Sequence, residues 1–308
     1  MDVVVVGSCM KDLISYVPRL PDPGETIVGT KFTFGYGGKG ANQCVMAARL
    51  GAKTSMIGKV GEDDFGRGYL KNFEDNGVNI EHTEMTSAAA TGVATIAVND
   101  DGQNAIIIVK GANDTLTEQD VANSEDVISK AKVLICQLEI SPHISLAAIK
   151  LARKHGVVTI LNPAPAVLNL DPSFYSMCDY FCPNETEAEI LSGLSVKSVP
   201  EAMTAALLLL DKGCRTVVLT LGEQGAVCVS QDRKPIHIPA KKVKQVDSTG
   251  AGDAFVGAFA FYVSCMSHLP LAEMLKRSGE IAGHSVQFPG TQTSYPHRGD
   301  LQGDLFFS

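Results

Sequence analysis

The chain has 308 residues, of which 45% are hydrophobic and 19% charged, a balance typical of a folded globular protein and not of a disordered one. Its 34 acidic and 26 basic side chains give a formal charge of −8 without any lysine-rich or arginine-rich block, so nucleic acid is not an expected partner. No apolar run approaches the ~20 residues needed to cross a bilayer, so no membrane partner is expected either.

The amino-terminal run Val3 to Val6 predicts a first buried strand. A signal peptide would carry a basic start and a longer apolar stretch, so this interpretation is disfavoured. The eight cysteines are scattered through mostly apolar segments, without a CxxC pair or Cys/His zinc spacing. We therefore expect reduced core thiols in a cytoplasmic protein, with access to the nucleus left open.

The first third contains two β-rich stretches. Glu25 to Phe34 and Thr91 to Lys110 alternate like strands, and Asn99 to Gly102 is typical of a hairpin turn. We predict that residues 13–36 and 91–112 leave an α/β core and pair as a small sheet. Such a sheet could act as a lid that keeps water from transfer chemistry. The alternative is that these strands extend the core sheet.

The remaining pattern alternates short apolar strands with helices that end near glycine. This alternation predicts a mostly parallel central sheet with helices on both faces, within one α/β domain spanning residues 1–308. Strands are predicted at 132–137, 157–161 and 215–221. Helices are predicted at 40–50, 65–76, 145–155, 184–191 and 200–212.

A glycine cluster precedes the first predicted helix. Gly35, Gly37 and Gly40 form a literal GxGxxG, which allows a dinucleotide-binding interpretation. The preceding segment looks like an exposed strand rather than a buried first strand, which weakens that interpretation. Two other readings stay open, a tight turn before a helix and a close backbone approach to a polar ligand that Asn42 faces. The GxxxxGK[ST] pattern is absent, so a Walker-type nucleotide site is disfavoured.

The strongest local signal lies between Asp247 and Phe255. Gly250, Ala251 and Gly252 precede a helical apolar pattern, so their backbone N–H groups are predicted to form an anion hole at a helix N-terminus. Asp253 in the first turn could take a proton from an attacking hydroxyl. The alternative is that Asp253 only complements the helix dipole.

Other polar residues follow predicted strands, where open α/β sheets bind ligands. Asp12 and Glu139 are such residues, and each could equally be a loop acid. The segment Thr220 to Gly225 could wrap a nucleotide or could simply be a glycine-rich hairpin turn. Asn184 and Glu187 fit a helix capping box, which explains them without a ligand.

Three ordered motifs resemble the ribokinase-like (PfkB) carbohydrate kinases, from about Val3 to Arg298. They are Gly35 to Gln43, Asn184 to Glu187 and Asp247 to Asp253, and Gly58 to Gly66 is similar to a further family pattern. The stretch Gly37 to Gln43 resembles the ribokinase branch in particular. The resemblance implies an α/β fold with a β-lid and ATP-dependent phosphorylation of D-ribose at its 5-hydroxyl. It also implies Mg²⁺, an activating monovalent cation such as K⁺, and a homodimer formed through the lid.

The resemblance also implies roles for individual residues. Asp253 would be the base, with Gly250, Ala251 and Gly252 stabilising the transferred phosphoryl group. The sugar would be held by Asp12, Gly38, Lys39, Asn42 and Glu139, with Met10 at the same site. The nucleotide would be held by Asn184, Thr220, Gly222, Gly225, Gly252 and Gly279, with Asn184 and Glu187 in the Mg²⁺ region. The K⁺ ligands would be Asp247, Thr249, Ser285, Phe288, Gly290 and Ser294.

Two residues depart from the family pattern. Met10 stands where many members have an asparagine that contacts the sugar, and Gly279 stands where members often have an asparagine near the adenine. The catalytic stretch shows no such departure, so an active kinase is expected. Two competing functions are an NAD(P)-linked oxidoreductase built on the GxGxxG and a non-catalytic sugar sensor.

Overall fold

The computed structural model describes residues 1–307, which form two separate β-sheets surrounded by helices. Across those residues the strands are β1 (Val3–Val6), β2 (Met10–Tyr16), β3 (Lys31–Gly37), β4 (Thr54–Gly61), β5 (Thr83–Thr86), β6 (Gly92–Val98), β7 (Asn104–Val109), β8 (Val133–Cys136), β9 (Val158–Leu161), β10 (Tyr180–Phe181), β11 (Thr216–Thr220), β12 (Ala226–Ser230) and β13 (Ile236–Ile238). The α-helices are α1 (Lys39–Arg49), α2 (Asp64–Asp75), α3 (Glu118–Asn123), α4 (Glu125–Ile128), α5 (Pro142–Lys154), α6 (Ser173–Met177), α7 (Glu185–Ser192), α8 (Val199–Asp211), α9 (Ala251–Cys265) and α10 (Leu271–Ser285).

The main sheet has the strand order β13-β12-β11-β10-β9-β8-β1-β4-β5. Its pairings from β5 through β11 are parallel, and only the β11–β12 and β12–β13 pairings among the described residues are antiparallel. Every residue of β1 and β8 is buried, as expected where helices cover both faces of a parallel sheet. The predicted fold class is therefore confirmed.

A hydrophobic core lies on each face of this sheet, and alternate residues of one strand feed the two cores. Val4 and Val6 pack with α5, α7 and α8 on one face, whereas Val3 and Val5 pack with α1, α9 and α10 on the other. Helix α9 is buried almost all round, from Asp253 to Tyr262, because it is wedged between α1 and α10. This burial fixes the direction of its N-terminus.

Strands β3, β2, β6 and β7 form a second sheet, here called the small sheet, in that order. The predicted hairpin is present, because Gly102 N donates to Asn99 O (2.9 Å) between antiparallel β6 and β7. The predicted strand over residues 25–34 is wrong in its first half. Residues 25–30 lie in a loop whose Glu25 pairs with Arg19, and the strand runs from Lys31 to Gly37. The small sheet also begins earlier than predicted, because β2 starts at Met10 and the predicted stretch starts at residue 13.

Other predicted elements are present with ends shifted by up to three residues. Helix α5 begins at Pro142, three residues before the predicted start, because proline suits the first helical turn. The strands predicted at 132–137, 157–161 and 215–221 are each shorter than predicted by one or two residues. No helix within residues 1–307 combines the length and the apolar character needed to span a membrane.

Candidate active site

A cleft of about 140 Å³ opens where β9, β10 and β11 end. Polar groups from the loops after these strands face the start of α9 across it. Ligands of open α/β sheets bind at this carboxyl edge, because loops and helix N-termini converge there. The lining side chains and backbone include Lys39, Asn162, Asn184, Glu187, Thr220, Gly250, Gly252 and Asp253.

The N-terminus of α9 forms one wall of the cleft. Gly250 precedes the helix in the left-handed region, at φ 77°, where a side chain would be strained. A Cβ at this position would also lie 2.5 Å from Thr291 Cγ2 and 2.7 Å from the Tyr295 hydroxyl. Glycine is therefore required here both by its backbone angle and by the segment packed against it.

The backbone amides at this N-terminus are not all free. Ala251 N donates to Ser248 O (3.1 Å), so the predicted contribution of the Ala251 amide to the anion hole is wrong in this conformation. The amides of Gly250, Gly252 and Asp253 have no acceptor among residues 1–307. The free amides are thus those of Gly250, Gly252 and Asp253, and they lie at the end of the helix where the dipole favours negative charge.

The Asp253 carboxylate is held at both oxygens. Asn42 Nδ2 donates to Oδ2 (2.9 Å), and Gln43 Nε2 donates to Oδ1 (2.8 Å). Asp253 is only 6% exposed, yet it lines the cleft. The carboxylate is therefore fixed beside the free amides at the edge of the cleft, whereas complementing the helix dipole would not require either hydrogen bond.

Asn42 was predicted to face a sugar, but its amide is already used at both ends. Its Oδ1 accepts from Gln292 Nε2 (3.0 Å), and that same nitrogen donates to the Tyr69 hydroxyl (3.2 Å). Tyr69 in turn donates to Gly37 O. Asn42 thereby links Asp253 to the loop after α10 and to the end of strand β3.

Two further carboxylates lie close to Asp253. Asp12 is on β2, facing Gly37, whose missing side chain makes room for it. Glu139 follows β8 and accepts from Ser8 Oγ and from Lys39 N (2.8 Å). Burial, together with the charges of Glu139 and Asp253, raises the pKa of Asp12 to about 6. These groups could accept hydrogen bonds from several hydroxyls of one ligand.

The Lys39 side chain lies among the acids. The nearby Asp253 charge raises the pKa of Lys39 despite burial, and Glu139 and Glu187 act in the same direction. A lysine that stays charged beside a cleft offers a point charge for phosphate. Lys39 was predicted as a sugar ligand only, whereas its position between Glu139 and Glu187 also places it beside the anion hole.

The glycine cluster serves contacts within the protein. Cβ atoms at Gly38 and Gly40 would collide with the backbone of Ser8 and of Gly7, respectively, and Gly38 has φ 90°. The cluster follows β3 of the small sheet and not the first strand of the parallel sheet. The dinucleotide fingerprint is therefore not formed. Met10 is buried beside Gly37 and lies on the same face of β2 as Asp12.

The other side of the cleft begins at the end of β11. Asn184 caps α7 in the predicted capping box, with Asn184 N donating to Glu187 Oε2 (2.9 Å) and Glu187 N donating to Asn184 Oδ1 (2.8 Å). Burial raises the pKa of Glu187. The remaining oxygen, Glu187 Oε1, has no donor among the described residues. One carboxylate that supplements phosphate oxygens suits Mg²⁺, so Glu187 fits that ion.

Of the glycines predicted to hold the nucleotide, Gly252 lines this cleft, whereas Gly222, Gly225 and Gly279 do not. Gly222 and Gly225 form the turn between β11 and β12, and a side chain on Gly225 would collide with Ile238 O. The hairpin interpretation is thus sufficient for Gly225. Gly279 lies half-buried on α10, with open space beside its Cα.

The predicted K⁺ ligands lie on the loop before α9, at the last residue of α10 and on the segment after it. Asp247 accepts from Thr249 N (2.9 Å) and from Gly290 N (2.8 Å). Burial raises the pKa of Asp247, but these hydrogen bonds outweigh it and hold the pKa below its ordinary value. Ser285 and Ser294 donate their hydroxyl hydrogens to local carbonyls, which leaves oxygen lone pairs free, while Phe288 offers its carbonyl. Carboxylate, hydroxyl and carbonyl oxygens of this kind are suitable ligands for a monovalent cation.

Two residues of the site were not assigned a role from the sequence. Gln43 and Gln292 are 0% and 4% exposed, respectively, and both belong to the hydrogen-bond network around Asp253. The available signal was the adjacent pair Asn42 and Gln43 inside an otherwise apolar helix pattern. Buried amides need partners, so such a pair points to a polar site.

Comparison with known proteins agrees with this geometry. The model of the pfkB family carbohydrate kinases matches residues 1–298. The chain is 56% identical to the ribokinase of Mus musculus over 305 residues, covering 99% of this chain and 94% of that protein. It is 42% identical to the deoxyribokinase of Salmonella typhi over 296 residues, 96% of each chain. The structure of Arabidopsis thaliana ribokinase complexed with ribose and ATP superimposes with a TM-score of 0.90 at 31% identity, covering 100% of this chain and 99% of that one. With its fold and its cleft in agreement, the chain belongs to the pfkB family of carbohydrate kinases.

Proposed function

We propose that the protein transfers the γ-phosphoryl group of ATP to the 5-hydroxyl of D-ribose, forming ribose 5-phosphate and ADP. The observation that carries this proposal is the Asp253 carboxylate, fixed beside free amides at the N-terminus of α9 and close to two further acids. The similarity to ribokinases, one of them a complex with ribose and ATP, supports the choice of substrates.

Asp253 acts as the general base. Its oxygens are oriented by Asn42 and Gln43, and the carboxylate takes the proton of the 5-hydroxyl as that oxygen attacks the γ-phosphorus. The bond between the γ-phosphorus and the β,γ-bridging oxygen breaks, and its electron pair leaves with ADP. Positioning of the hydroxyl in line with this bond supplies much of the rate.

The amides of Gly250, Gly252 and Asp253 stabilise the charge on the transferred group. They are fixed by the backbone, so they need no rearrangement as the transition state forms. Lys39 adds a positive charge on the opposite side, next to Asp253 and Glu187. Asn184 and Thr220 line the same cleft and contact the nucleotide. Gly222, Gly225 and Gly279 lie further from it.

The sugar lies between the small sheet and Asp253. Asp12 and Glu139 accept hydrogen bonds from its secondary hydroxyls, since Asp12 lies beside Gly37 at the end of β3 and Glu139 lies beside the backbone N of Lys39. Gly38 lets β3 turn sharply into α1, so that Asn42 and Lys39 reach the site. Met10 contributes an apolar contact on the same face as Asp12.

Two ions complete the proposed site. Mg²⁺ would lie near Glu187 and Asn184 and would neutralise the negative charge of the ATP phosphates. K⁺ would be held by Asp247, Thr249, Ser285, Phe288, Gly290 and Ser294. Asp247 connects the start of α9 to the loop at Gly290, so a cation at that place would order the loop that carries the free amides.

The small sheet acts as the lid of a single α/β unit spanning residues 1–308 and as the contact between two copies of the chain. All six residues of β7 are exposed, although five of them are apolar. Phe32 and Phe34 on β3 are 60% and 63% exposed. Exposed apolar surface of this kind is typical of an interface, which supports a homodimer formed through the lid. We expect the protein in the cytoplasm, without a nucleic-acid or membrane partner.

A coupled assay of ADP formation over a panel of pentoses, hexoses and nucleosides tests the proposal. D-ribose should give the highest kcat/KM, with 2-deoxyribose included because one relative is a deoxyribokinase. If only a nucleoside or a hexose were turned over, that compound and not ribose would be the substrate. Binding of ribose without ADP formation would instead favour a sugar sensor.

A further inference from the structure

We infer that Gln43 is a positioning residue for the phosphoryl transfer, which orients the Asp253 carboxylate through a one-way chain of buried amides from Gln137. This inference rests on the proposed function, because it concerns the same base. It assigns a role to two glutamines that neither line the cleft nor reach a ligand.

The direction of the Gln43 amide is set by its neighbours. Gln43 Nε2 donates to Asp253 Oδ1 (2.8 Å) and to Asn162 Oδ1 (3.0 Å), which uses both of its hydrogens. If the amide were turned over, its oxygen would face two other acceptors. Only one orientation is therefore compatible with an ionised Asp253.

Gln137 maintains that orientation from behind. Its Nε2 donates to Gln43 Oε1 (2.7 Å), so the nitrogen of Gln137 must also point towards the site. Its own Oε1 then lies against Gly7 and has no donor among residues 1–307. Proteins rarely leave a buried acceptor unpaired. Here the unpaired oxygen is the consequence of aligning the chain of amides with the carboxylate.

Gln43 has little room to move. Gly257 lies one turn after Asp253, and a Cβ there would be 2.5 Å from Gln43 O and 2.8 Å from Met46 Cβ. Helices α1 and α9 therefore touch at this point. Their close approach transmits the position of Gln43 directly to the first turn of α9, where the base and the free amides lie.

The experiment compares wild type with Gln43→Leu in steady-state kinetics on D-ribose and ATP. Loss of the donor should let the carboxylate rotate, so kcat should fall about 10²-fold, the scale of a 1 Å misplacement. Both KM values should stay within about twofold, because Gln43 contacts no ligand. A wild-type kcat in Gln43→Leu would overturn the inference, and so would a KM effect without a kcat effect.

A double variant separates positioning from a general structural effect. In Asp253→Ala there is no carboxylate to orient, so adding Gln43→Leu should lower kcat no further. An equal additional fall would contradict the inference. Thr54→Val is the matched control, since Thr54 also has a buried oxygen without a partner but lies at the amino end of β4. It should keep wild-type kinetics.

Gln137→Leu provides a second route if Gln43→Leu does not fold. It removes the donor behind Gln43 together with the unpaired oxygen, so it should fold and still lower kcat with unchanged KM values, by less than Gln43→Leu. An unchanged kcat in Gln137→Leu would remove the chain of amides from the mechanism. If wild type turns over but these variants match it, this inference alone fails. If wild type turns over no sugar, the proposed function fails and this inference with it.

Discussion

The two sheets of the protein both contain apolar strands, but they differ in whether those strands are buried. Strand β8 consists of Val133 to Cys136 and is buried at every position, whereas β7 contains Ile106, Ile107 and Ile108 and is exposed at every position. The main sheet buries the apolar side chains of β1 and β8 against helices of the same chain. The small sheet leaves the apolar side chains of β7 exposed, which is why we propose a second chain beside it.

The two regions also differ in how the candidate functional residues are held. The proposed base, Asp253, and the free amides lie at the N-terminal end of α9, and the packing of this helix holds them in place. The small sheet carries Asp12, and β7 at its edge is exposed at every position. We propose that Asp12 contacts the sugar where the small sheet meets the cleft.

The largest expected effect comes from removing the proposed base while the small sheet is left unchanged. Asp253→Ala should lower kcat by ~10²–10⁴-fold, the usual contribution of a positioned base. The small sheet is untouched, so the mass in solution should stay that of the wild type by sedimentation. A folded variant with nearly wild-type turnover would remove Asp253 from the chemistry.

The second prediction disrupts the proposed contact between the small sheets of two chains and leaves Asp253 unchanged. Ile107 is 66% exposed, and Ile107→Asp would place a charge within the proposed interface. The dimer dissociation constant should rise by about 30-fold, as for loss of an interface anchor. Sedimentation equilibrium measures this constant. Ile236→Asp is the matched control, since Ile236 is 41% exposed on β13 of the main sheet, and it should leave the mass unchanged. A monomeric wild type would refute this part of the account.

The third prediction concerns Asp12, where the two regions meet. The pKa of Asp12 is raised to about 6, so this carboxyl is ionised at pH 7 and mostly protonated at pH 5. The ionised form is the stronger acceptor for sugar hydroxyls, so KM for ribose should rise about tenfold between pH 7 and pH 5. The KM for ATP should change much less.

Asp12→Asn is the control for this pH effect. The variant should have a high KM for ribose at every pH, without the rise below pH 6. A wild-type KM for ribose that stays flat from pH 7 to pH 5 would contradict the assignment of Asp12 to the sugar.

The smallest effect concerns the loops behind α9. Asp247→Asn keeps the shape of the side chain but removes the charge that Thr249 N and Gly290 N surround. The K⁺ concentration for half-maximal activation, measured at constant ionic strength with Na⁺, should rise several-fold. Asp304→Asn, a change at an exposed position, should leave it unaltered. Identical K⁺ curves for Asp247→Asn and wild type would exclude Asp247 as a ligand.

Local features of the fold were accessible from the sequence. The capping box of Asn184 and Glu187 spans four residues, and the start of α9 follows from Gly250 and Gly252 before an apolar helix pattern. The occupied amide of Ala251 was not accessible, because it depends on the backbone angle of Gly250. The sequence also could not show that β8 is buried and β7 is exposed, since both strands are apolar.

Contacts between distant segments were beyond the sequence pattern. Gln43 and Asp253 are 210 residues apart, and Asn42 and Gln292 are 250 residues apart. Each side chain taken alone is an ordinary polar residue. Only the packing of α1 against α9 brings them together, so the support of the base emerges from tertiary structure alone.

The most direct test of the central claim is the position of the phosphate in the product. Proton-coupled ³¹P NMR of the reaction with D-ribose and ATP should show a new sugar phosphate whose phosphorus couples to the two protons of C5. This result follows if Asp253 and the free amides of α9 act on a primary hydroxyl. A phosphorus coupled to a single sugar proton, or ATP left unchanged, would contradict the account.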